Sequence, residues 1–246
     1  MYHAKTTLRL GLLSLVIACL GSFPAFASPV TFGQGLEQSA GQNFSLVDTG
    51  SGVTLTGSSQ IYFVFSNIDG TLPAALSGPL SATFTLNLSS NTPDVTNASA
   101  GTISEGGFTG TFSITLNTPV NGQTNLLSGT ITSAANATLT GKSGGTGASL
   151  SASTPPAGSV LFSSAFVQFS GSQTEAFSLA LSSGVPTFLD SNSGFLSAFA
   201  AAGSLTFSSD PGPTMAKATP EPVSMLLLGF GMLLMGAFGY RLRRAH

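Results

Sequence analysis

The sequence predicts an all-β protein, an antiparallel β-sandwich or a barrel-like relative of one. Apolar residues alternate with Thr or Ser over many short runs, which places one side of each run against a core and the other against water. Gly, Pro, Asn and Ser separate these runs, as turns between strands require. Charged residues make up only 7% of the 246 residues, so the sequence has few of the charged pairs that support exposed helices.

The predicted β domain covers residues 28–207, and its strand-like runs follow one another in chain order. They lie at residues 53–56, 60–65, 83–88, 111–116, 137–140, 165–169, 177–181 and 205–207. One segment, Phe195–Ala202, departs from the two-residue period. There the spacing of Leu196, Phe199 and Ala200 predicts a short helix.

Phenylalanine supplies the predicted core. Fifteen of the 19 Phe residues lie within residues 30–207, many of them at alternating strand positions, where Phe usually packs inside. Sugar-binding modules usually expose Trp or Tyr instead, and this stretch has no Trp and a single tyrosine, Tyr62. The only cysteine of the chain, Cys19, excludes a disulfide scaffold, so burial of apolar side chains has to stabilise the domain.

The N-terminus has the pattern of a secretory signal peptide. Two basic residues precede an apolar run of about eleven residues, and Ala25-Phe26-Ala27 then follows with the small-x-small form of a signal peptidase site. The pattern predicts that signal peptidase removes residues 1–27 and that the protein is exported. Two alternatives stay open, an uncleaved anchor, for which the run is short, and a lipoprotein cleavage site at Cys19.

The C-terminus combines a spacer, an apolar run and a basic tail. The Pro- and Gly-rich spacer, residues 208–222, ends in Pro220-Glu221-Pro222. The next 18 residues, 223–240, are uncharged and mostly apolar and would form a helix about 27 Å long, enough to cross a membrane once. The tail, residues 241–246, holds three arginines that are expected to stay cytoplasmic, Arg241, Arg243 and Arg244.

This order of parts resembles the PEP-CTERM sorting signal of Gram-negative bacteria that produce exopolysaccharide. The similarity covers about residues 219–246 and comprises Pro220-Glu221-Pro222, the apolar segment and the terminal arginines. It implies recognition of the tripeptide by an exosortase, a membrane-embedded cysteine transpeptidase-like enzyme, with Glu221 as a substrate residue. It also implies loss of the helix, transfer to the cell surface or extracellular matrix, and association with exopolysaccharide in a biofilm. The two prolines keep the backbone around Glu221 extended, which suits recognition by an enzyme.

The charge of the chain excludes a nucleic-acid partner. Seven Lys and Arg residues are too few to neutralise a row of phosphates. Five of the seven lie at the two ends, so residues 28–219 hold eight acids and two lysines, hence a net charge of −6. The predicted exported domain is therefore mildly acidic.

Two motifs resemble catalytic loops, but their context favours turns. Asp48-Thr49-Gly50-Ser51 matches the catalytic loop of aspartic proteases, which need a second such carboxylate that the sequence does not supply. Gly141-Lys142-Ser143-Gly144-Gly145 has the Gly-x-Ser-x-Gly pattern of hydrolases, yet the only histidines are His3 and His246. We therefore expect a non-enzymatic protein without a cofactor, and a secreted protease that uses Asp48 is a remote alternative.

A third motif, Asp190-Ser191-Asn192-Ser193-Gly194, resembles part of a calcium loop because oxygen-bearing side chains occupy alternate positions. It lacks the closing Glu of an EF-hand, and an Asx turn explains it as well. Two hypotheses about function remain. The leading one is an exosortase-sorted surface or matrix protein, and the alternative is a secreted carbohydrate- or calcium-binding adhesive module.

Overall fold

The structure is built from β-strands. The computed structural model describes residues 29–39, 41–97, 100–133, 137–153, 160–169 and 174–216. Within these residues the regular elements are strands, apart from one short 3-10 helix at Ala74–Leu76. The strands are β1 (Val30–Glu37), β2 (Phe44–Asp48), β3 (Val53–Phe65), β4 (Leu80–Ser90), β5 (Val95–Asn97), β6 (Thr102–Val120), β7 (Gln123–Ile131), β8 (Ala137–Lys142), β9 (Ala148–Ser153), β10 (Val160–Ser163), β11 (Val167–Gln168), β12 (Thr174–Val185), β13 (Phe199–Asp210) and β14 (Thr214–Met215). The predicted all-β class is confirmed.

Twelve strands form one large antiparallel sheet, and the short strands β11 and β14 form a second. Pairing runs from β1 through β3, β4, β6, β8, β9, β12 and β13, and β13 pairs with β1 again, so the circuit closes. Strand β2 pairs with both β3 and β13, while β7 pairs with β6 and carries β10 on its other side. The sheet therefore wraps around one interior in a sandwich-like arrangement.

Phenylalanine and leucine fill most of the interior, and the Phe side chains lie inside as the sequence predicts. Fourteen of the fifteen Phe side chains in this part of the chain are buried, and the remaining one, Phe169, packs against the core. Phe207 lies at the centre of the cluster and is fully buried. Its ring centroid lies 5.4 Å from that of Phe177 and 5.5 Å from that of Phe112. Aromatic pairs at such distances add to the stabilisation that burial of their apolar area provides.

The long strands show the predicted two-residue alternation. In β4 every second residue from Leu80 to Ser90 is buried. The outward positions hold mainly hydroxyl residues that pair across strands, such as Thr85 with Ser113 at 2.8 Å and Ser104 with Thr140 at 2.9 Å. The Ser and Thr that alternate with apolar residues in the sequence therefore form a hydrogen-bonded outer surface.

The helix predicted at Phe195–Ala202 is wrong. Leu196 forms an isolated bridge with Asp190, and Phe199–Ala202 belong to β13, where Phe199 pairs with Leu46 of β2. Alanine-rich residues favour a helix locally, but Phe199 and Ala201 are both buried, as alternate residues of a strand should be. Pairing with strands on both sides therefore overrides the local preference.

The β structure also continues into the predicted spacer. Strand β13 extends to Asp210, and β14 lies within residues 208–222. Met215 of β14 packs against the core, and the backbone N–H of Ala216 donates to Phe166 O at 2.9 Å. Strand structure therefore extends beyond Phe207, the residue at which the predicted β domain ends.

Candidate functional site

The residues predicted to direct sorting lie outside the described part of the chain. Within the described residues, no helix is long and apolar enough to cross a membrane. The predicted signal peptide, residues 1–27, and the predicted membrane helix, residues 223–240, are not among those residues. The same holds for the individual processing residues Ala25, Ala27, Pro220, Glu221, Pro222, Arg241, Arg243 and Arg244.

The protease-like motif forms a hairpin turn. Strand β2 ends at Asp48 and β3 begins at Val53. The backbone N–H and the hydroxyl of Thr49 both donate to Gly52 O, at 2.9 and 2.8 Å. Gly50 has a φ of +78°, a conformation that glycine adopts without steric cost. The expectation that Asp-Thr-Gly-Ser makes a turn is confirmed.

The Asp48 carboxylate connects this turn to a second one. It accepts hydrogen bonds from the Ser193 hydroxyl at 2.6 Å, the Gly50 N–H at 2.7 Å and the Ser191 hydroxyl at 2.8 Å. These bonds, the one from Ser193 foremost, lower the pKa of Asp48 because they favour the ionised form. Asp48 therefore acts as an acceptor that holds residues 190–194 against the β2–β3 turn.

Residues 190–194 themselves form a compact turn. The Ser191 N–H donates to Phe195 O at 2.9 Å, and the Gly194 N–H donates to Ser191 O at 3.3 Å. The Asp94 N–H donates to Gly194 O at 3.0 Å and so attaches the turn to the segment that precedes β5. The interpretation of these residues as a turn is confirmed.

The turn brings four acids together, here called the acidic cluster: Asp48, Asp94, Glu105 and Asp190. Glu105 projects from β6 and is fully buried. Its Oε2 accepts the Leu196 N–H at 2.9 Å, whereas its Oε1 has no hydrogen-bond partner among the described residues. The sequence alone does not reveal this cluster, because its members come from four separate segments.

Burial makes two members of the acidic cluster weak acids. Burial raises the pKa of Glu105 to about 7. The hydrogen bond from the Leu196 N–H opposes this shift, and the negative charges of Asp94 and Asp48 add to it. Burial, the charge of Asp190 and a hydrogen bond with Asp190 raise the pKa of Asp94 to about 6. The cluster can therefore take up protons near neutral pH.

The acidic cluster makes its polar contacts with the neighbouring 190–196 segment. Glu105 has no exposed surface through which it could contact a substrate. Among the described residues, no three Asp, Glu, His or Cys side chains are placed to hold a metal ion together. The geometry instead indicates that these carboxyl groups fix the position of the 190–196 segment.

The hydrolase-like motif also forms a turn. Gly141 and Lys142 end β8, and the chain returns through β9 from Ala148. The Gly145 N–H donates to Lys142 O at 2.9 Å, and Gly144 has a φ of +73°. The segment is therefore a strand–turn–strand unit, while a nucleophile elbow leads from a strand into a helix.

The outer surface of β1, β3, β4 and β6 carries the most distinctive exposed group. Tyr62 is 49% exposed and Leu36, its partner across the β1–β3 pair, is 63% exposed. On the other side of Tyr62 lies its partner Ser81 of β4. Together these side chains form a row across three strands that is apolar at one end and polar at the other.

A closed set of three hydrogen bonds borders this row. Gln60 Nε2 donates to Thr83 Oγ1 at 2.8 Å, Thr83 Oγ1 donates to Asn117 Oδ1 at 2.9 Å, and Asn117 Nδ2 donates to Gln60 Oε1 at 2.7 Å. Asn117 Nδ2 also donates to Ser81 Oγ at 2.9 Å, and so does Gln38 Nε2. These bonds hold exposed amide side chains in fixed positions.

We call this surface the Tyr62 face and define it by six uncharged side chains, Leu36, Gln60, Tyr62, Ser81, Thr83 and Asn117. An open groove beside it is lined by Gln34, Leu36, Tyr62, Val64 and Pro79, mostly by their carbon atoms. The one sequence feature that points to this site is Tyr62, a single tyrosine within a run of alternating apolar and polar residues. Nothing in the sequence indicates that Asn117, which follows 55 residues later, would lie near it.

Comparison with known proteins yields no relative for this chain: it matches no family model, no curated protein and no solved structure.

Proposed function

We propose that the chain is an exported, non-enzymatic protein of the cell surface or extracellular matrix, sorted by an exosortase. The observation that carries this proposal is the order of parts in the sequence. A basic and apolar leader opens the chain, and Pro220-Glu221-Pro222, 18 apolar residues and three arginines close it. In this proposal the β domain is the part that is exported, and the two ends of the chain are recognised by signal peptidase and by exosortase.

The properties of the described domain are compatible with an exported protein. Its Phe-rich core provides stability without disulfides, and its Ser- and Thr-coated strands present a hydrated surface. Asp48, the residue of the remote protease alternative, is engaged by three hydrogen bonds within two turns. These contacts favour a structural role for Asp48 over a catalytic one.

Cell fractionation tests the sorting proposal. In the native host, we expect the wild-type protein in the surface or medium fraction and the Glu221→Ala variant in the cytoplasmic membrane, because exosortase would no longer recognise the tripeptide. Asp69→Ala is the matched control, since Asp69 is an exposed acid of the β domain. The proposal fails if wild type and Glu221→Ala are distributed alike, whether both are released or both stay in the membrane.

A further inference from the structure

We propose that the Tyr62 face is a binding site for a neutral polysaccharide. This inference goes beyond the proposed surface or matrix function and rests on it only for the compartment in which the ligand is met. The chemistry of the site, however, follows from the described residues alone.

The Tyr62 face places an exposed aromatic ring beside an exposed aliphatic side chain. Tyr62 and Leu36 are cross-strand partners, and both are about half exposed or more. Tyrosine is an amphipathic side chain that stacks well and loses little rotational freedom on binding. A sugar ring has C–H groups on its flat faces, and those faces can pack on the phenol ring and the leucine beside it.

A border of polar side chains lies beside the Tyr62 ring, at a spacing close to the size of one sugar residue. Gln60 lies two residues from Tyr62 on β3, and two residues of a strand span about 7 Å. Gln60, Thr83 and Asn117 hold one another through three hydrogen bonds of 2.7 to 2.9 Å. Amide and hydroxyl groups can both donate and accept, as the hydroxyls at the edge of a sugar ring require.

The polar side chains of the Tyr62 face are already held in place by one another. A flexible Gln or Asn side chain loses conformational entropy when a ligand fixes it, and this loss weakens binding. In the Tyr62 face the hydrogen bonds among Gln60, Thr83, Asn117 and Ser81 fix the side chains before a ligand arrives. The face therefore offers a rigid surface at low entropic cost.

The charge of the domain selects neutral over anionic polymers. None of the six side chains of the Tyr62 face is charged, and Lys142 of β8 is the single Lys, Arg or His among the described residues. The net charge of −6 for residues 28–219 would repel an acidic polysaccharide. A neutral chain of sugars that lies along the groove, beside Tyr62 and Pro79, fits these conditions.

Affinity electrophoresis of the full-length protein, purified in a sugar-free detergent, tests the inference. The probes are laminarin, dextran and glucomannan, with alginate as the acidic comparison. We expect at least one neutral polysaccharide to retard the protein, Tyr62→Ala to weaken that binding at least ~tenfold, and Tyr62→Phe to retain most of it. Asn117→Ala should weaken binding several-fold, because it breaks the set of hydrogen bonds beside the ring.

Leu161→Ala is the matched control, since Leu161 is 50% exposed but lies on β10. The inference is overturned if no neutral probe binds, if alginate binds most strongly, or if Tyr62→Ala and Leu161→Ala behave alike. Circular dichroism of each variant verifies that the sheet is intact. Because purified protein is used, failure here is distinguishable from failure of sorting, which is measured in cells.

Discussion

Replacement of Glu105 by Gln is predicted to stabilise the protein above pH 7 and to change its stability little near pH 4.5. Glu105 is fully buried, and only one of its two carboxyl oxygens accepts a hydrogen bond from the described residues. Above pH 7 it is ionised beside the carboxylates of Asp94 and Asp48. Gln has nearly the same shape, can still accept the Leu196 N–H and never carries the charge.

The magnitude follows from the pKa of Glu105, which burial raises from its ordinary 4.5 to about 7. Between these values the folded protein holds a proton that the unfolded chain has released. The free energy of unfolding therefore falls as the pH rises from 4.5 to 7. At about 1.4 kcal/mol per pH unit, the loss from this one group is at most about 3–4 kcal/mol. The Gln variant avoids that loss, so its advantage at pH 8 should approach the same size.

Urea unfolding of full-length wild type and Glu105→Gln at pH 4.5, 6 and 8 measures this difference. The buffers have low ionic strength, so that salt does not screen the charges, and they contain EDTA to remove trace metals. Asp69→Asn serves as control, because it makes the same replacement of a carboxyl group by an amide at an exposed position. Two results would refute this prediction: a Glu105→Gln variant that is less stable than wild type at pH 8, or a difference between the two proteins that is the same at pH 4.5 and pH 8.

Three further perturbations test the core, the backbone and the second buried acid. Phe207→Ala should lower the free energy of unfolding by about 3–5 kcal/mol in urea, because Phe207 is fully buried at the centre of the aromatic cluster, whereas Leu161→Ala should cost less than about 1 kcal/mol. Gly110→Ala should lower the melting temperature more than Gly122→Ala does. Both glycines have a positive φ, but only at position 110 would the new methyl group collide with a backbone carbonyl, that of Asn87. Burial raises the pKa of Glu175 to about 7 as well, so adding Glu175→Gln to Glu105→Gln should make the free energy of unfolding depend still less on pH. A double variant with the same pH dependence as Glu105→Gln would contradict this.

The fold class could be predicted from the sequence because alternation is a local signal. The pattern of Leu80–Ser90, for example, appears unchanged in the buried and exposed positions of β4. The helix predicted at Phe195–Ala202 was wrong because that segment's conformation depends on distant partners. Phe199 pairs with Leu46, which lies 153 residues earlier in the chain.

The two surface features depend on pairing that the sequence does not encode locally. Tyr62 was visible as the only tyrosine of the domain, but its hydrogen-bonded border needs β3, β4 and β6 to lie side by side in one register. The acidic cluster likewise depends on the segment at residues 190–196, in which the Leu196 N–H donates to Glu105 of β6. In both cases residue types were visible from the sequence, and their juxtaposition required the sheet topology.

The intact mass of the protein isolated from its native host tests the sorting account most directly. The account predicts a wild-type chain that begins at Ser28 and lacks Val223–His246, and a Glu221→Ala chain that begins at Ser28 and retains them. A wild-type protein that still carries Val223–His246 would contradict exosortase processing and leave the apolar segment as a simple anchor.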